Sequence, residues 1–359
     1  MPSTDDTIHS SNPAIHSLNF RFRYITQIHF TPMLLKSANK KPFKMKINNL
    51  ISRLPVLLAL GALATFSSCD DDDPVPVDNT ITSKVVADPN FSTLELAVGR
   101  AGLAATLSGT GPFTVFAPDN AAFSAAGITE AALNSLTPAQ VSAILLYHTI
   151  PSKILAADVP AGPNARVVTA GGDSVFVTRN AAGVFVNGIQ VTQANIEASN
   201  GVVHKVGRVL NPPAGNIVAT ATAAGLDSLV KAVLRATNAP GGDPTLAGTL
   251  SNATLTVFAP TNAAFTGLLS ALSLTDINQI PVATLLAVLR YHVVGGRAFS
   301  SDLSNGGLAM LAGGNTTVSL TGTPTIRGNG NGGTASNITA TNIICRNGVV
   351  HLIDRVLLP

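Results

Sequence analysis

The sequence predicts an α+β protein made of two tandem, homologous domains, and three repeated words carry that expectation. TVFAPDNAAF at 114–123 returns as TVFAPTNAAF at 256–265, and LLYH at 145–148 returns as LRYH at 289–292. SNGVVHKVGRVL at 199–210 returns as RNGVVHLIDRVL at 346–357. Irregular words that recur in one order are the mark of an internal duplication. The copies are expected at 80–213 and 214–359. They meet at Asn211-Pro212-Pro213-Ala214-Gly215, where prolines end a strand and stiffen a short linker. Few contacts are expected across such a joint.

Within each copy the elements follow in order. PFTVFAP at 112–118 is a short apolar run bounded by prolines and reads as a buried strand. Asp119 and Thr261 follow the second proline and can cap the helix that begins NAAF, because their side-chain oxygens accept a free backbone N–H. AQVSAILLYH sets Val141, Ile144, Leu145 and His148 at helical spacing, and VATLLAVLRYH does the same with Leu285, Val288, Leu289 and His292. Both histidines thus fall on an apolar stripe. GVFVNGIQV reads as strand, Asn-Gly turn, strand. VVHKVGRVL and VVHLIDRVLL read as closing strands, with His204 on the face of Val202 and Val206 and His351 on that of Val349 and Ile353.

These words, in this order, resemble the first box, the Tyr-His motif and the second box of fasciclin domains, twice over. The resemblance implies two tandem fasciclin-like domains, each a β-sandwich wedge with packed helices. It implies membership of a group found in cell-surface and matrix proteins that mediate adhesion, with no enzymatic activity general to it. In many members an Asp-Ile pair before the second box accepts a hydrogen bond from the Tyr-His histidine. Asn195-Ile196 and Asn342-Ile343 stand at those places here. The resemblance therefore implies bonds from His148 to Asn195 and from His292 to Asn342, with a neutral partner in place of a charge-assisted one.

The formal net charge of +3 does not point to nucleic acid. Arg21, Arg23, Lys36, Lys40, Lys41, Lys44, Lys46 and Arg53 face only Asp5 and Asp6 before residue 69, and from Cys69 onward acidic residues outnumber basic ones. The clustered cations that a nucleic-acid surface needs are missing from the body. MKINNLISRLPVLLALGALATFSSC, from Met45, has a short basic start, the apolar run Leu54–Leu63 and small residues before a cysteine, which is the layout of a secretory signal. Its end resembles a bacterial lipobox, with Phe66 where Leu is usual, so 45–68 is expected to be a lipoprotein signal and Cys69 the lipid-bearing N-terminus. Its alternative is a plain signal peptide with an incidental cysteine. Residues 1–44 are expected to be an upstream extension. The run Asp70–Asp73 and the prolines after it make 69–79 a solvated tether. The acidic run also resembles the surface-export signal of Bacteroidetes lipoproteins. The expected location is the outer membrane, exposed on the cell surface and held there by lipid.

No cofactor, metal or catalytic residue is expected. The four histidines after Cys69 (His148, His204, His292, His351) lie on apolar faces, and no carboxylate recurs beside both pairs to complete a metal site. GNGNGG at 328–333 fits a dinucleotide pattern literally, but the β-rich TASNITATNI after it makes a flexible hairpin loop the better reading. There is no Gly-x-Ser-x-Gly elbow. Tyr147 and Tyr291 belong with the core. Cys345 reads as a small core residue, and with Cys69 lipidated no intramolecular disulfide can form. The expected function is non-enzymatic adhesion or matrix association through a surface protein or glycan. The alternative is a carbohydrate- or small-ligand-binding lipoprotein.

Overall fold

A computed structural model describes residues 78–162 and 164–359. The expected extension 1–44, signal 45–68, lipid site Cys69 and most of the tether lie outside the described residues. In the first domain, helices α1 (Ile81–Ala87), α2 (Ser92–Ala101) and α3 (Ala104–Ser108) precede strand β1 (Phe113–Pro118). Helices α4 (Asn120–Ala125), α5 (Glu130–Ser135) and α6 (Pro138–Tyr147) follow. The chain then runs through β2 (Thr149–Ile150), β3 (Ala165–Val168), β4 (Ser174–Asn180), β5 (Gly183–Val186), β6 (Ile189–Ala198) and β7 (Gly201–Val206). The second domain repeats the plan. Helices α7 (Ile217–Ala223), α8 (Asp227–Asn238) and α9 (Leu246–Asn252) lead to β8 (Leu255–Pro260), then α10 (Asn262–Ala271) and α11 (Val282–Arg290). Strands β9 (Val293–Gly295), β10 (Gly306–Ala309), β11 (Asn315–Ser319), β12 (Thr325–Arg327), β13 (Ser336–Cys345) and β14 (Gly348–Ile353) complete it.

Strand order is β2-β1-β7-β6-β5-β4-β3 in the first domain, and the second has the equivalent order β9-β8-β14-β13-β12-β11-β10. The repeated words form the central parallel pairs β1·β7 and β8·β14, in register Phe116↔His204 and Phe258↔His351. Side chains alternate across a strand, so each central pair feeds two cores. Val115, Ala117 and Val203 pack against the helices. Phe116 and Val206 face Val175, Val177 and Val186 on the folded-over half of the sheet. The sheet folds over along β6 and β13, which both carry register shifts, and Asn195 (φ 58°) and Asn342 (φ 62°) lie within the shifted stretches. Asn enters this left-handed region at less cost than most side chains.

Local sequence explains the helix starts. Asp119 Oδ1 accepts the Ala122 N–H at 2.8 Å, and Thr261 Oγ1 accepts that of Ala264 at 3.3 Å. Thr137, Pro138 and Gln140 form a capping box at the start of α6. The apolar stripes Val141/Ile144/Leu145 and Leu285/Val288/Leu289 are buried. Asn187 (φ 49°) and Gly188 (φ 70°) make the two-residue turn between β5 and β6.

One expectation needs correction. The GNGNGG segment is not a free loop. Gly330 donates its N–H to Leu358 O at 3.0 Å, and the Asn331 side chain bonds Val356 O and Leu358 N, so the segment clasps the C-terminal stretch that follows β14. The joint carries a few specific contacts. Asn342 Nδ2 donates to Gly188 O at 3.1 Å, Asn180 Nδ2 to Ser301 O at 3.1 Å and Asn164 Nδ2 to Asp302 Oδ2 at 2.7 Å. The Phe176 ring meets Phe299 with centroids 6.2 Å apart. The linker prolines fix the joint without keeping the domains apart, and an apolar and polar interface closes over it.

Candidate functional site

Four asparagines of the repeated words fasten the fold to backbone. Asn120 Oδ1 accepts the Thr93 N–H at 3.0 Å, and Asn262 Oδ1 accepts that of Ser228 at 2.9 Å, which ties each NAAF helix to an earlier one. In the NGVVH words, Asn200 Nδ2 donates to Leu107 O and Gly109 O while its Oδ1 accepts from Ile81 N. Asn347 repeats the pattern with Leu250 O, Ala253 O and Ile217 N. Sequence reasoning missed all four as structural residues, although each is identical between the copies.

Tyr147 and Tyr291 are buried. The Tyr147 hydroxyl donates to Ser174 O and accepts from Asn187 Nδ2, both at 3.0 Å. Tyr291 donates to Asn315 O at 2.6 Å. Burial raises the Tyr147 phenol well above its ordinary value, so it stays neutral.

The histidine partners differ from those the resemblance implied. His148 sits at the C-cap of α6, with Nδ1 2.8 Å from Ile144 O and Nε2 accepting the Leu210 N–H at 2.8 Å. His292 likewise has Nδ1 2.7 Å from Val288 O and Nε2 accepting from Leu357 N at 2.9 Å. Neither bonds its asparagine. Asn195 Oδ1 accepts the Ala156 N–H at 2.9 Å and Asn342 Oδ1 that of Ser300 at 2.8 Å, so each asparagine pins the loop after the Tyr-His word. The backbone already satisfies both ring nitrogens of these histidines, so no side-chain partner is needed.

His204 and His351 use the opposite ring nitrogen as donor. His204 Nε2 lies 2.8 Å from Ile154 O, and its Nδ1 accepts the Asn195 N–H at 3.2 Å. His351 Nε2 lies 3.0 Å from Ala298 O, while its Nδ1 has no hydrogen-bond partner among the described residues. Their rings rest on Phe116 and Phe258, with centroids 5.7 and 5.2 Å away. Burial pushes His148, His292 and His351 down to about 4 and lowers His204 as well. All four rings are therefore neutral at physiological pH and enclosed, a poor arrangement for proton transfer. Among the described residues, no three of His, Cys, Asp and Glu are grouped to hold a metal ion.

The open feature lies where the domains meet. A cavity of about 630 Å³ is lined by residues of both, among them Arg166, Asp173, Phe176, Arg297, Cys345 and Arg346. Arg297 lies over the Phe176 ring at 4.0 Å and donates to Cys345 O, Arg346 O and Gly348 O. Burial lowers its pKa. Arg346 Nε stands 3.7 Å from Asp173 Oδ1, and Arg166 Nε donates to Ser174 Oγ at 2.9 Å. Cys345 is buried, which pushes its thiol up to about 11 and leaves it unreactive. Sequence reasoning passed over this region because its residues other than Arg346 lie outside the repeated words, and Arg346 stands where the first copy has Ser199. A signal was nonetheless present in the differences between the copies. Five and seven residues after the Tyr-His histidine the first domain has Lys153 and Leu155, and the second has Arg297 and Phe299.

Comparison with known proteins fits this architecture. A family model described as Fasciclin domain matches residues 89–212 and again 231–359. The chain is 40% identical over 136 residues to Protein sll1483 of Synechocystis sp., covering 37% of this chain and 74% of that one. It is 35% identical over 139 residues to Transforming growth factor-beta-induced protein ig-h3 of Sus scrofa, covering 39% of this chain but 20% of that one. It is 33% identical over 134 residues to Immunogenic protein MPB70 of Mycobacterium bovis, covering 35% and 65%. A solved structure of a FAS1 domain pair from the insect cell adhesion molecule Fasciclin I aligns over 77% of this chain and 96% of that one, at 18% identity and a TM-score of 0.36. The chain therefore belongs to the fasciclin-domain family and carries two such domains in tandem.

Proposed function

We propose that this protein is a non-enzymatic adhesion or matrix-association lipoprotein, held on the outer surface of the outer membrane by lipid on Cys69. Membership of the fasciclin family, whose domains are typically adhesion and matrix-associated modules, is the observation that carries the reading. The burial of the repeated tyrosines and histidines supports it, since that shared chemistry of the two copies is spent on folding and leaves contact surfaces for function. The partner is a surface protein or glycan. Two domains on one tether present two contacts at high effective concentration, which raises avidity without strong individual sites. The test compares cells that express the protein with cells that carry Cys69→Ala. Mass spectrometry should find lipid on Cys69 of the native protein, and whole-cell protease should reach it. Expressing cells should adhere to extracellular matrix more firmly than cells lacking the gene. Equal adhesion, or a protein without lipid that is shed to the medium, would contradict the reading.

A second reading, a ligand-binding surface lipoprotein, is favoured by one specific observation, the cation-lined cavity between the domains.

A further inference from the structure

The cavity between the domains holds more positive charge than its own acids neutralise. Arg166 and Asp173 come from the first domain, and Arg297 and Arg346 from the second. Asp173 is the one carboxylate among these lining residues, and it faces Arg346 at 3.7 Å. Arg297 spends its guanidinium on three backbone carbonyls and the Phe176 face, none of which carries a formal charge. Arg166 has one side-chain partner, the neutral Ser174 hydroxyl. Burial, and to a lesser degree the Arg166 charge, disfavours the charge of Arg297. Asp302, outside the lining, accepts from the lining residue Asn164 Nδ2 at 2.7 Å and from the Phe299 N–H at 2.8 Å.

Like charges gathered around one recess repel, and an anion placed among them relieves that cost. Guanidinium groups suit planar or tetrahedral oxyanions in particular, because their N–H donors form a fork. The volume of about 630 Å³ lies within the range of small-ligand sites. We propose that this interdomain cavity binds an acidic saccharide, a sugar bearing a carboxylate or sulfate. The oxyanion sits between Arg166 and Arg346, and the sugar body lies against the Ser174 and Thr254 side of the recess. Arg297 fixes the cavity wall and supplies background charge. Because the lining comes from both copies, neither domain alone contains the site. The proposal rests on the ligand-binding side of the functional reading and requires no adhesion.

The test uses the full protein extracted in detergent and titrated by calorimetry at low salt. Glucuronate and glucose 6-sulfate are the acidic probes, glucose is the neutral control, and inorganic phosphate is the bare oxyanion. The acidic sugars should bind and glucose should not. Arg166→Gln, on an exposed side chain, should weaken binding about ten-fold. Asp173→Asn should tighten it several-fold, because it releases Arg346 from its carboxylate. The opposite signs of the two variants separate the site from loss of fold, and Lys231→Gln, a charge change outside the cavity lining, should leave binding unaltered, which separates it from general charge attraction. Failure of both acidic sugars to bind, or binding indifferent to both substitutions, would overturn the proposal. Phosphate binding as tightly as the sugars would overturn the saccharide part. Lost sugar binding with adhesion intact refutes this site alone, and sugar binding without adhesion refutes the adhesion reading alone.

Discussion

The Nε2 atom of His148 accepts the backbone N–H of Leu210, 62 residues downstream, at 2.8 Å, and His292 does the same to Leu357 at 2.9 Å. Each imidazole thereby links the end of its helix to the segment just past the closing strand. His292→Ala would leave the buried Leu357 N–H unpaired and open a ring-sized void. Val288 O keeps the Tyr291 N–H as a partner. The expected loss is about 2–4 kcal/mol. Since His292 and Asn342 share no hydrogen bond, the double substitution His292→Ala with Asn342→Ala should lower stability nearly additively. Urea midpoints of the four proteins in the cycle measure this, and a coupling above about 1 kcal/mol would restore the side-chain pair that the family resemblance implied.

The buried rings also make stability depend on pH. Unfolded histidines titrate near pH 6.5, whereas His148, His292 and His351 titrate near 4 in the folded chain because burial disfavours the imidazolium. Between those values the unfolded chain binds more protons, so acid favours unfolding. The stabilisation is complete above about pH 6.5 and is lost as the pH falls towards 4, by roughly 3 kcal/mol for each fully shifted ring. Asp243, held at about 2 mainly by the Thr245 hydroxyl, acts only at lower pH. Unfolding free energies at pH 7.5, 6, 5 and 4.5 should fall with a slope of about three protons. A flat profile would mean that the rings charge in the folded state.

The domain interface predicts coupled unfolding. Gly188 has φ 70°, and a Cβ there would come 2.6 Å from Phe299 Cβ and 2.7 Å from Asn342 Nδ2. Gly188→Ala should force the β5–β6 turn away from the second domain and leave each domain's core unaltered. The native protein should unfold in one transition by circular dichroism, and the Gly188→Ala protein should show two or a clearly broadened one. Two transitions in the native protein would show that the interface contributes little.

Much of this fold was legible in the sequence because duplication wrote it twice. The buried PFTVFAP strand, the caps at Asp119 and Thr261, the Asn187-Gly188 turn and the apolar stripes all depend on local patterns. The histidine partners were not legible, because they are backbone groups on distant residues, and a backbone N–H leaves no trace in residue type. The interface was hidden for a different reason. Phe176, Arg297 and Phe299 belong to one copy each, and a search for repeats passes over what the copies do not share. Arg297 and Phe299, standing where the first domain has Lys153 and Leu155, were the readable clue. The candidate site thus lay in the differences between the copies, and the fold in their identities.

The central claim is that the repeated histidines are neutral fasteners of two kinds. A backbone N–H can only donate, so Nε2 of His148 and His292 must be the acceptor and Nδ1 must carry the proton. The carbonyls facing Nε2 of His204 and His351 require the other tautomer. Side-chain 15N NMR of the purified protein measures this directly. The account predicts two buried imidazoles in the Nδ1–H form and two in the Nε2–H form, unchanged from pH 7.5 to 5.5 and unmoved by added zinc. A buried ring that titrates near 6.5, four rings of one tautomer, or a zinc-induced shift at any of them would contradict it.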